Sequence, residues 1–219
     1  CLFFILLLIG LLSPNPTRFV SILQVPQTAY VYYMPVIAGG SPKMLSTTKF
    51  AGTGVDDATV GTVAWTNPGN VTAEDGIVAA ATTVGGLVET HYIKATNFGF
   101  AIPVNATLSG VVVEMKVADI GGERFITHRV YLVKGGAISG NNKSDGALWG
   151  VSLAWKTIGT NTEMWGLTLT PANVNANDFG CVISGREDSG VGPPSPRIDA
   201  IRIIVYYYIP FSQGFVIAP

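Results

Sequence analysis

Two histidines, His91 and His128, are the residues best suited to acid–base or metal chemistry near neutral pH, and both fall in strand-like stretches. Neither has a Cys, His, Asp or Glu at a metal-ligand spacing, which argues against zinc. Alternation puts His128 on one face with Ile126 and Val130, so it reads as a satisfied or rim histidine. A Ser-His-Asp triad forms only on folding, and no G-x-S-x-G elbow is present. Gly140-Asn-Asn-Lys-Ser144 lacks the glycine before the lysine that a phosphate-binding loop needs.

Carboxylates adjoin at Asp56-Asp57, Glu74-Asp75 and Glu187-Asp188. Neighbouring residues of a strand point to opposite faces, so no such pair makes an acid–base couple by itself. Solvated turn residues is the plain reading; calcium in a loop is the sharper one. Trp65, Trp149, Trp155 and Trp165 would serve a sugar-stacking platform, but each sits beside small or apolar residues, which favours core or interface packing. Asn70-Val-Thr72, Asn105-Ala-Thr107 and Asn142-Lys-Ser144 match the glycosylation acceptor pattern. These observations name no catalytic residue, no metal ligand and no cofactor.

The composition points away from other classes. Charged residues make up 12% of the 219-residue chain, half of an ordinary globular share of about 25%. So few charges cover a lone soluble surface poorly, which implies that partners cover part of it. No run reaches the roughly 20 apolar residues of a spanning helix. Net charge is −1 with no basic cluster, so nucleic acid is not an expected partner. Two cysteines, Cys1 and Cys181, make no disulfide framework, and Cys181 reads as a small buried apolar residue.

Residues 1–12, CLFFILLLIGLL, match the apolar core of a secretory signal but lack a basic start and a small-residue cleavage site. A signal remnant or membrane anchor, an arm buried in a neighbouring subunit, and an artefact of the gene boundary are the alternatives; Cys1 as a lipidated residue is a further one. Pro14 and Pro16 end the run. Residues 1–37 are therefore expected to be an apolar arm or anchor, 38–61 a linker, 62–209 the main domain and 210–219 a C-terminal extension.

The main domain reads as strands. Val111, Val113, Met115 and Val117 alternate with Val112, Glu114 and Lys116. Glu123 to Lys134 repeats the pattern, and Gly121-Gly122 between them predicts a hairpin. In 197–209, Ile201, Ile203, Val205 and Tyr207 share a face with Asp199, while Ala200, Arg202, Ile204 and Tyr206 face away. Further strands are expected over 62–67, 77–84, 89–96, 148–156, 164–170 and 179–184, with one helical turn at Thr170–Val174 capped by Thr170. Recurrent Gly and Pro turns imply an all-β, jelly-roll-like antiparallel β-sandwich with an apolar N-terminal arm; a barrel is the alternative.

Trp65-Thr-Asn-Pro-Gly-Asn70, Asp75-Gly76, Asn97-Phe-Gly-Phe-Ala-Ile-Pro103, Gly110-Val-Val-Val113, Trp165-Gly166, Asp178-Phe-Gly180 and Asp199 through Tyr207 together form a pattern. It resembles a poorly characterised β-rich domain of bacteriophage virion proteins, often tail-associated, and of some bacterial surface proteins. The resemblance spans 61–208 and implies a structural or adhesive role with no catalytic residue.

The resulting expectation is a non-enzymatic subunit of an extracellular filament or virion, bound to copies of itself, located at a cell surface, outside the cell or in a virion. A membrane enters only if the N-terminal segment is an anchor. Its expected assembly contacts are Phe3, Phe4, Ile5, Leu8, Tyr30, Tyr32, Tyr33, Phe211 and Phe215. A carbohydrate-binding or adhesin module, with glycans as partners, is the alternative.

Overall fold

Period-two alternation becomes strand where one face can be buried, and among the described residues ten strands result: β1 (Met44–Phe50), β2 (Thr53–Asp57), β3 (Ala79–Ala80), β4 (Tyr92–Thr96), β5 (Thr107–Asp119), β6 (Phe125–Lys134), β7 (Ala137–Ser139), β8 (Ala154–Ile158), β9 (Gly180–Glu187) and β10 (Pro196–Tyr208). The computed structural model describes residues 42–83, 86–122, 124–188 and 194–210. All of them belong to the unit Ser41–Pro219.

The strands form two antiparallel sheets. One runs β1-β10-β5-β8, with β3 also on β10; the other runs β2-β4-β9-β6-β7. The chain is an all-β sandwich. The long strands β5 and β10, 13 residues each, pair at the centre of the first sheet. Their inward residues Val111, Val113, Met115, Val117, Ile201, Ile203 and Val205 meet Ile93, Val130, Leu132, Cys181 and Ile183 of the second sheet in one core. Trp149 is fully buried there, edge-on to Phe125 at 5.0 Å. A Cβ at Gly185 would lie 2.0 Å from Phe125 Cε1, so only glycine lets that ring into the layer.

Several sequence expectations change. Residues 38–61 are no mere linker, because β1 and β2 lie there. Both are edge strands, and a Ser/Thr/Lys-rich edge needs little apolar alternation because backbone pairing to β10 and β4 holds it. The expected strand over 62–67 reduces to bridges at Val63 and Thr66, and that over 77–84 to β3. No strand forms over 164–170. Glu163 Oε1 accepts the Trp165 N–H at 2.7 Å, Trp165 takes a left-handed φ of 58°, and its indole Nε1 donates to the Val111 carbonyl at 2.7 Å. The helical turn does form, at Pro171–Asn175, with Thr170 and Asn173 completing a capping box.

A further change concerns Gly121-Gly122. β5 and β6 lie in different sheets, so the turn is a corner and not a hairpin. The hairpin sits at Gly135-Gly136, φ 59° and 75°, between β6 and β7. Asp119, fully buried, makes the corner: Oδ1 accepts N–H groups of Gly121 (3.0 Å) and Ser195 (2.7 Å), and Oδ2 accepts that of Arg124 (2.9 Å). Both oxygens are engaged by donors. Asp119→Asn must set an amide NH2 against one of them, and we expect a loss of about 2–4 kcal/mol, against about 0.5 kcal/mol or less for exposed Asp145→Ala, in urea denaturation. Equal effects of the two substitutions would refute this account of the corner.

Candidate functional site

Each adjacent acid pair splits on folding. Asp56 Oδ2 lies 2.8 Å from His91 Nδ1, Asp56 Oδ1 accepts the Trp65 N–H, and the Trp65 indole donates to the His91 carbonyl. This closed ring ties β2, β4 and the 62–67 segment together. Among the described residues no hydroxyl or thiol bonds the His91 ring. Asp57 instead closes a local turn with Thr59. Glu74 pairs with Lys116 at 2.9 Å, and Lys116 also reaches Asp199 at 3.0 Å. The Glu74 hydrogen bond, followed by that of Asp199, raises the Lys116 ammonium above its ordinary value. Two carboxylates thus share one ammonium, but Asp199 is fully buried and beyond reach of a sugar. A bulge between Ile198 and Ala200 turns Asp199 off the face of Ile201, where alternation had put it, and onto Lys116.

The outer face of the first sheet carries the most exposed aromatic cluster. Phe50, Arg202, Glu114 and Thr157 form one cross-strand row over β1, β10, β5 and β8. Arg202 Nε donates to Glu114 Oε2 at 2.5 Å, and Thr157 donates to Glu114 Oε1 at 3.0 Å. That carboxylate fixes the guanidinium 3.9 Å over the Trp155 ring, with Phe50 at 6.3 Å from the indole. Phe50 is 38% exposed. Tyr206 and Ile204 continue the face. Trp65, Trp149 and Trp165 are buried in the core; Trp155 alone of the tryptophans reaches this surface. The sequence could not separate it, since all four have similar neighbours.

The outer face of the second sheet carries a polar cluster that sequence reading missed. A bulge between Thr127 and Arg129 makes His128 the extra residue of β6. Thr127 therefore points inward to bond the Trp149 indole, whereas alternation had grouped His128 with core-facing Val130. Around His128 stand Glu89, Arg129, Arg186 and Ser184. Glu89 Oε1 accepts from Arg129 Nε (2.8 Å) and Ser184 Oγ (2.7 Å). Beside it Tyr92, Val133 and Val182 make a small apolar cluster with Val60 and Tyr131. Burial lowers the His128 pKa, Arg186 and Arg129 add to the shift, and Glu89 opposes it.

The expected assembly contacts Phe3, Phe4, Ile5, Leu8, Tyr30, Tyr32, Tyr33, Phe211 and Phe215 all lie outside the described residues. Cys181 is free and buried, and burial pushes its thiol far up. Among the described residues no group of three or more His, Cys, Asp or Glu is placed to hold a metal, and no helix is long and apolar enough to cross a membrane. Of the glycosylation patterns, Asn70 and Asn142 already donate their amides to the Val78 and His128 carbonyls; Asn105 is exposed in a turn. An open groove of about 430 Å³ is lined by Thr62, Val63, Ala64, Thr66, Thr82 and Val88, none of them titratable. No protein-family model matches the chain, and no curated protein matches it.

The shifts set an acid limb of stability. Unfolded His128 takes up its proton near 6.5 and the folded residue only at lower pH, so stability falls as pH drops below about 6.5. Hydrogen bonds from Lys116 and Lys143 hold Glu74 and Glu163 below 4.5; their contributions persist above 4.5 and vanish on further acidification. Melting temperature should therefore fall in two steps, and His128→Asn should flatten the first. A variant as acid-sensitive as wild type between pH 7 and 5 would remove His128 as the cause.

Proposed function

We propose that this chain is a structural, non-enzymatic subunit of an extracellular filament or virion assembly, held by subunit packing through its two ends. The observation that carries this is the pairing of Met44 with Tyr208. The chain enters β1 and leaves β10 at the same end of the first sheet. Residues 1–41 and 211–219, rich in Phe, Leu and Ile, are thus attached at neighbouring points. Two apolar segments rooted together suit insertion into adjoining subunits. The outer face of the first sheet adds Trp, Tyr and Arg, the residue types in which interface hot spots are enriched.

The strand order supports the jelly-roll reading. Without β3 and β4, eight strands remain; first pairs with last (β1·β10), third with sixth (β5·β8) and fourth with fifth (β6·β7), as in one antiparallel ribbon rolled up. In that ribbon β4 is inserted between the second and seventh strands, β2 and β9. The likeness to β-rich virion domains fits as well, because Trp65, Trp165, Phe179 and Asp199, which carry it, are all buried packing or turn-fixing residues here.

Negative-stain microscopy and light scattering test the reading. Full-length protein should form particles whose mass is a multiple of 23.1 kDa, and deletion of residues 1–37 should leave folded monomer. Equal assembly of both, or monomer in both, would sink it. The second reading is a glycan-binding module, favoured by the exposed Trp155–Phe50 pair. It requires that Trp155→Ala abolish hits on a glycan array while Trp165→Phe, in the core, retains them.

A further inference from the structure

We propose that the His128 bulge on the outer face of the second sheet is a binding site for an oxyanion, free or carried on an acidic sugar. The proposal is independent of the assembly reading.

Two nitrogens carry the argument. His128 Nδ1 and Arg186 Nε are both buried, and neither has a hydrogen-bond partner. Arg186 pairs with Ile126 across β9 and β6, and the bulge places His128 between Ile126 and Arg129 along the same face. Ser184 follows two residues before Arg186, so its side chain shares that face. The bulge puts both donors on one face: with regular alternation His128 would point into the core beside Leu132.

The local charge selects an anion. Arg129 is neutralised by Glu89, which grips it through Nε at 2.8 Å and Nη2 at 3.4 Å. Glu89 is held in turn by Ser184. Glu89 also lies opposite Arg186 across an isolated bridge, so two guanidiniums share one carboxylate and the cluster keeps one positive charge in excess. The facing 140–148 loop brings Lys143, already paired with Glu163 at 3.0 Å, and Asp145, whose Oδ1 accepts the Ala147 N–H. Tyr92 lies alongside, its phenol pushed up by burial. Arg186 Nε only donates, and neutral imidazole donates from Nδ1 in one tautomer. Two unpartnered donors and a net positive charge suit a carboxylate or sulfate oxygen and repel a metal ion.

Binding is linked to protonation. An anion beside His128 favours the imidazolium, so affinity must rise as pH falls. Calorimetric titration of the full-length protein with sodium sulfate, at constant ionic strength in chloride, tests this at pH 7.5 and 5.5. We expect saturable binding, several-fold tighter at pH 5.5. Arg186→Gln should weaken it tenfold or more, and His128→Asn should remove the pH dependence. Arg186→Lys, which keeps the charge and loses the Nε donor, serves if the glutamine variant fails to fold; it too should bind more weakly. Parallel titrations with glucuronate and a sulfated disaccharide assign the carrier: tighter binding than sulfate points to the sugar, equal binding to the free ion. Absence of saturable sulfate binding at both pH values, or wild-type affinity in a folded Arg186 variant, would overturn the site.

Discussion

A single buried carboxylate decides which way the chain turns at the end of its longest strand. Asp119 gathers the N–H groups of Gly121, Arg124 and Ser195. Two of these belong to its own corner and the third to the entry of β10, which is paired with β5. The two oxygens of Asp119 take three backbone N–H groups between them, and a buried carboxylate without such donors would be costly. The same carboxylate therefore sends β6 to the opposite sheet and pins the strand beside β5. Once that corner is made, the inward faces of β5 and β10 have β6 and β9 opposite them, and the core follows.

Other polar side chains repeat this economy. Asn142 Oδ1 accepts from Val130 N–H, and its amide donates to the His128 carbonyl; Asn175 brackets Ile102 from both sides. Asp56 and Glu163 each hold a tryptophan N–H. A chain with 12% charged residues thus commits several of its acids to backbone donors. Fewer remain for the surface, and aromatic and aliphatic side chains such as Phe50, Val55, Ile77 and Val104 stand exposed in their place.

What could be read beforehand follows from range. β5, β6 and β10 are half-buried over many residues, so alternation announced them; Thr170 with Pro171 is a local capping signal and was equally plain. The edge strands were hidden because Lys49 and the threonines of β1 owe their conformation to β10, about 160 residues away. Gly121-Gly122 marks a turn but says nothing of which sheet receives the next strand. Bulges at His128 and Asp199 reverse alternation without a change in composition, so each moved a titratable residue to the face opposite the expected one. The polar cluster around His128 draws on β6, β9 and the approach to β4, and no spacing in the sequence joins Glu89 to Ser184.

The antiparallel pairing of β1 with β10 also has a mechanical meaning. Met44 and Tyr208 sit at the same end of the ladder, so tension drawn between the two chain ends loads its rungs one after another from that end. Such a seam peels at low force, whereas strands pulled from opposite ends must shear every rung at once. A sandwich gripped by one terminus and pulled against its body would resist well; the same sandwich stretched between its two termini would open along β1 first, leaving the β5–β10 pair intact behind it.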